Sequence, residues 1–156
     1  MKLTQIFSIF AAILVLMAMP AMASEQSDTF LMSIDKEAAT CELMAFTNHM
    51  NLKTYEMQIS SHENGASMQG RMDVMKENTA KEMQCVQDAR AAVKEIFKNY
   101  EASESSEKLK LDAKDVYIAW NAALPYRVRE GTSSGRPELV SYRKAVATMD
   151  ADGLLD

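Results

Sequence analysis

Apolar positions recur along this chain with a helical period, and no stretch of useful length alternates as a strand would. From Ser27 to Ser61 there is no proline or glycine, and Ile34, Ala38, Cys41, Ala45, Leu52, Tyr55 and Ile59 follow in steps of three, four or seven. Residues at those spacings share one face of an α-helix, so the pattern predicts a helix with an apolar stripe. A second stripe, Met32, Leu43, Phe46, Met50 and Met57, lies well round the same helix. A helix apolar on two faces is expected to be covered on two sides, which makes this the central helix of the fold. Another helix is expected from about Ser67 to Tyr100, striped by Met68, Met72, Met75, Thr79, Met83, Val86, Val93, Phe97 and Tyr100.

The turn His62-Glu63-Asn64-Gly65 joins the two helices into an antiparallel hairpin. Both helices rise equally per residue, so register follows from counting away from the turn. Ile59 is expected to face Met68, Tyr55 to face Met72, Leu52 to face Met75, and Asn48 to face Thr79. The last pair puts a polar layer inside an apolar seam, a device that fixes register at some cost in stability. Cys41 and Cys85 flank the turn almost symmetrically and fall at nearly the same height. That is the arrangement a disulfide across a hairpin requires.

The remainder predicts shorter elements. Glu101 to Lys108, rich in serine and glutamate, reads as a break with helix-start chemistry. A third helix follows, with Leu109, Ala113, Val116, Trp120 and Ala123 on one face, and Pro125 is expected to end or kink it near Leu124. This face is expected to dock on the Phe46–Met50 side of the first helix. Pro125 to Pro137 reads as a loop, flexible over Gly131 to Gly135. A last helix is expected from Pro137 to Met149, with a frayed tail beyond. The fold class is therefore all-α: a long disulfide-stapled antiparallel hairpin plus two shorter C-terminal helices, in one helical bundle.

The start of the chain reads differently. Lys2, an apolar run from Ile6 to Met19, Pro20 and the small-x-small end Ala21-Met22-Ala23 form an export signal spanning 1–23. The expected mature chain, 24–156, is one soluble all-helical domain, periplasmic or secreted, with no membrane association after signal removal. Without Lys2 it carries 16 basic and 22 acidic side chains, a net charge of −6, which makes nucleic acid a poor partner. An exported chain with just two cysteines reads as one with a single disulfide.

Catalytic constellations are missing. His49 and His62 lie on different sides of one helix and cannot jointly grip a metal without a partner chain. There is no haem-attachment motif, phosphate-cradling glycine loop or nucleophile elbow. The acids Asp112 and Asp115 read as a solvated face. No enzyme and no cofactor are expected. Methionine is the compositional oddity. Met68, Met72 and Met75 either pack in the hairpin seam, as adaptable core, or offer soft thioethers that select Cu(I). Between Pro125 and Lys144, Arg127, Arg129, Arg136, Arg143 and Lys144 stand against Glu130 and Glu138, a local charge of +3 in an acidic chain. Tyrosine and arginine dominate binding hot spots, so Tyr126, Arg127, Arg129 and Arg136 are the expected contacts for a protein partner. If they are not, the Met32–Met57 face is the next candidate.

The run Thr79-Ala-Lys-Glu-Met-Gln-Cys85, the helical stretch to Tyr100 and the segment Leu109 to Trp120 ending Tyr-Ile-Ala-Trp resemble the small exported domains related to bacterial lysozyme inhibitors. The chain departs from them after Trp120, where Asn-Ala-Ala stands in place of a Tyr-Arg-Asp run and a further Cys. The resemblance implies an all-α exported domain that binds a wall-degrading enzyme. The expected function is thus a non-enzymatic binding protein of inhibitor or immunity type. The alternatives are a Met-rich copper-binding protein and an envelope-stress holdase, which needs an exposed apolar surface. A homodimer is compatible with each.

Overall fold

The computed structural model describes residues 4–61 and 66–154, with side chains from residue 25 onward. The expected export signal, Met1 to Ala23, and the turn from His62 to Gly65 lie outside the residues whose side chains are described. Four helices, and no strand among the described residues, make up the chain: α1 (Thr4–Ser60), α2 (Met68–Ser103), α3 (Glu107–Glu130) and α4 (Pro137–Gly153). Among the described residues, no helix is long and apolar enough to cross a membrane.

Local chemistry sets the helix starts. The Ser67 hydroxyl accepts from Gly70 N at 3.1 Å and opens α2. Glu104 Oε1 accepts from Ser105 N and Ser106 N at 2.7 and 2.8 Å, and the Ser106 hydroxyl accepts from Leu109 N. These acceptors satisfy amides that have no partner inside a helix. The expected break from Glu101 to Lys108 is therefore only Glu104 to Ser106 long. Pro137 opens α4 as expected.

The core sits at one end of the hairpin. Phe30, Ile34 and Ala38 of α1, Ala89, Val93 and Tyr100 of α2, Val116, Trp120 and Leu124 of α3, and Leu139, Tyr142 and Met149 of α4 form one buried cluster. The α3 face expected from periodicity, Leu109, Ala113, Val116, Trp120 and Ala123, is fully buried. Its docking partner differs from the expectation. Phe46 and Met50 are exposed, and Trp120 packs in the cluster that holds Ile34, Ala38 and Val93. The Ile34 stripe of α1 thus lies in the one cluster it shares with α2, α3 and α4, and the Met32–Met57 stripe is uncovered.

The Cys41–Cys85 disulfide joins α1 to α2, with Cα atoms 5.7 Å apart. Just past it, Asn78 Nδ2 donates to Asn48 O at 3.1 Å, while Asn48 Nδ2 donates to Glu82 Oε1 at 3.2 Å. The expected polar layer is there, with Asn78 rather than Thr79 facing Asn48, a slip of one residue. Beyond Asn48 no described residue of the hairpin is fully buried until Ala89. Among the described residues, every hydrogen bond, ion pair and ring contact between the hairpin and α3 or α4 falls on Asp35, Glu42, Arg90 or Phe97. The hairpin therefore continues past the four-helix base as a two-helix arm, rising about 20 Å at a helix's 1.5 Å per residue. Inside the arm, Arg71 pairs with Glu56 at 2.6 Å. The Tyr55 ring lies over Gly70, where an added Cβ would stand 2.0 Å from the Tyr55 hydroxyl oxygen.

Two C-terminal expectations are corrected. Proline 125 does not end α3, which runs to Glu130. A proline has no N–H for the carbonyl four residues back; here Arg90 Nη2 donates to that carbonyl, Asn121 O, at 2.9 Å. Nor is the tail after Met149 frayed up to Gly153: α4 continues, Asp152 pairs with Lys108 at 2.6 Å, and Gly153 is buried beside Ser27.

Candidate functional site

The four residues expected to meet a partner lie around the α3–α4 joint, and the structure assigns them different circumstances. Tyr126, Arg127 and Arg129 stand on α3, not on a loop, and the connection is only Gly131 to Arg136. Arg127 is buried. Its guanidinium bonds to Asp35 and Glu42 of α1, and Asp35 also accepts from the Tyr142 hydroxyl at 3.0 Å. Burial pulls the Arg127 pKa down, but the bonds to the two carboxylates outweigh it and the net shift is upward. Burial first, then the neighbouring Asp35 charge, pushes the Tyr142 phenol well above its usual value. Arg127 is thus the tie that fastens α3 and α4 to the first helix.

Arg136 is also engaged. It pairs with Glu130 at 2.8 Å and its guanidinium lies 5.1 Å from the centre of the Tyr126 ring. Ser134 donates to Glu130, and Arg143 donates to Thr132 O at 2.6 Å. The connection is thus tied by hydrogen bonds to Glu130 of α3 at one end and to Arg143 of α4 at the other. Arg129 alone of the four is exposed with no ion pair among the described residues. It lines two clefts at the end of α3. One, of about 560 Å³, includes Phe46, His49 and Glu82; the other includes Thr79, Met83 and Val86.

Arg127→Ala is expected to lower stability by about 2–3 kcal/mol. Breaking a buried ion pair costs about 3–5 kcal/mol, and a smaller cost applies because the Asp35 side chain is 55% exposed and can regain water. Arg129→Ala should change it by less than about 0.5 kcal/mol, as surface substitutions do. Urea melts of the two variants check this pair. An unshifted midpoint for Arg127→Ala contradicts its role as a tie.

The acids at Asp112 and Asp115 also divide. Asp115 is solvated as expected, but Asp112 is half-buried, and burial together with the Asp152 carboxylate raises its pKa. No group of three or more His, Cys, Asp or Glu side chains among the described residues is placed to hold a metal ion.

The methionines are where the structure departs most from the expected seam. Met32, Met50, Met57, Met68, Met72, Met75 and Met83 are between 41% and 73% exposed, beside exposed Leu43 and Phe46. All of them lie on the hairpin, and most on the arm. Met68, Met72 and Met75 share one face of α2 at spacings of four and three, yet each is exposed rather than buried against α1. For the copper reading, the exposure frees the thioethers. Against that, Arg71 Nη1 donates to Met75 Sδ at 3.2 Å, which brings a positive charge to the site. Sequence periodicity found these positions; it missed Asp35 and Glu42, whose only signal is two carboxylates seven residues apart beside the apolar stripe. Comparison with family models, with curated proteins and with solved structures finds no match to the chain.

Proposed function

We propose that the protein is a non-enzymatic binding protein of the holdase type, whose working surface is the methionine-lined arm. The carrying observation is the set of exposed apolar side chains Met50, Met57, Met68, Met72 and Met75 on the arm, where no described residue beyond Asn48 is fully buried, with exposed Phe46 and Met83 at its root. Single exposed apolar residues are ordinary on protein surfaces, but rows of them mark interaction sites: Phe46, Met50 and Met57 share one face of α1, and Met68, Met72 and Met75 share one face of α2. Methionine suits it, since its unbranched and polarizable side chain repacks around dissimilar apolar shapes. Lys53, Lys76 and Arg129 lie in or beside this region with no ion pair among the described residues, which suits a client segment whose apolar residues are flanked by carboxylates. An exported, oxidising compartment fits the disulfide. The wall-degrading enzyme implied by the resemblance is the narrower partner class. It loses support because Arg127, one of the residues meant for an acidic cleft, is already paired.

The test is suppression of aggregation. Heat-unfolding citrate synthase scatters less light when the full protein is present. The variant Phe46→Glu/Met50→Glu/Met57→Glu loses that effect while keeping its melting temperature within a few degrees, because the three side chains are exposed. Equal suppression by wild type and variant, or none by either, overturns the reading.

A further inference from the structure

We infer that the arm is a site of methionine sulfoxidation and that the modification turns its apolar surface polar; the functional consequence, release of a bound segment, rests on the docking reading above. The distribution of thioethers carries the inference. Nine methionines lie beyond residue 24. Seven are exposed, all on α1 and α2, whereas Met149, in α4, is 0% exposed. Methionine is ordinarily a core residue, so this chain places its exposed sulfurs on the hairpin, with Met50, Met57, Met68, Met72 and Met75 on the arm, and shields Met149 inside the base. Both cysteines are already joined, with no free thiol among the described residues, so no thiolate competes for oxidant.

The chemistry balances with a peroxide as the oxidant. A thioether lone pair attacks the outer peroxide oxygen, the O–O bond breaks, and a sulfur–oxygen bond forms. The sulfur loses two electrons, and hydrogen peroxide is reduced to water. The product is a sulfoxide, polar and chiral, and reversible by methionine sulfoxide reductases. The surroundings rank the sites. Met75 is the least exposed of the seven, and its sulfur already accepts from the Arg71 guanidinium, which draws on the lone pair that must attack. Met32, Met57, Met68 and Met72 have no such donor among the described hydrogen bonds.

The experiment treats the full protein with hydrogen peroxide, maps oxygen addition by peptide mass spectrometry, and follows retention on a hydrophobic-interaction column. Met32, Met57, Met68 and Met72 are expected to react first, Met75 later, and Met149 at least roughly tenfold more slowly than these four. Retention should fall as the arm reacts and return after treatment with methionine sulfoxide reductase. The variant Met57→Leu/Met68→Leu/Met72→Leu should keep most of its retention after peroxide. Oxidation of Met149 as fast as the arm, or a fully oxidised arm with unchanged retention, overturns the inference. The mass map and retention are read without any client. Failure to suppress aggregation before oxidation therefore removes the docking reading alone, and a wrong order of oxidation removes this one alone.

Discussion

Replacing Trp120 with alanine is expected to destabilise the protein by about 3–5 kcal/mol, the range for truncating a buried tryptophan. The melting temperature should fall by on the order of 10 °C or more. The ring is 1% exposed and belongs to the cluster that joins Ile34 and Ala38 of α1 with Val93 of α2. Alanine would leave a cavity in this cluster, whose small members Ala38, Ala89, Ala113 and Ala123 have little side chain with which to fill it. Trp120→Phe should cost much less. The indole Nε1 is buried with no hydrogen-bond partner among the described residues, so phenylalanine keeps most of the packing and deletes an unsatisfied donor. Urea denaturation of both variants measures the difference. A Trp120→Ala midpoint close to wild type would mean that the base does not close around this residue.

Removal of the staple is the second large effect. The variant Cys41→Ala/Cys85→Ala is expected to lose about 4 kcal/mol, the chain-entropy figure for a loop of this size. The loss should not be uniform. The disulfide stands at the root of the arm, and beyond it the two helices bury only Asn48 completely. Two helices with so little shared core depend on being held together. Hydrogen exchange should therefore quicken most over 46–60 and 68–83, while Val93, Val116 and Trp120 stay protected until global unfolding. Equal loss of protection throughout the chain would show that arm and base are one cooperative unit.

The features that sequence conveyed best are those that depend on spacing alone. Helical periodicity located the buried face of α3 from Leu109 to Ala123. Distance from a central turn located the disulfide and, to within one residue, the polar layer at Asn48. What periodicity cannot convey is which of two apolar stripes is covered. A helix apolar on two faces looks the same whether the second face meets another helix or water, so Met32–Met57 and Met68–Met75 were expected inside and stand outside. Pairings distant in sequence were equally hidden. The expected loop at Pro125 is a helix, in which Arg90, on another element, supplies the hydrogen bond that the proline cannot. The arginines expected to seek a partner include Arg127, whose partners Asp35 and Glu42 lie far earlier in the chain.

The bond from Arg90 to Asn121 also couples the end of α3 to α2. The turns of α3 after Pro125 lack a backbone hydrogen bond of their own at that point, so α2, once in place, favours them by supplying one. Arg127 is two residues past the proline, and its bonds to Asp35 and Glu42 depend on the same stretch of helix. In a chain made from its N-terminus, α2 is complete before Pro125 appears. Docking α3 on that preformed hairpin then delivers the guanidinium to α1, and the Tyr142 hydroxyl of α4 can meet an Asp35 already held in position. A loss at Arg90 would therefore be felt as a late fault in the closing of the base, far from the arm that lies beyond it.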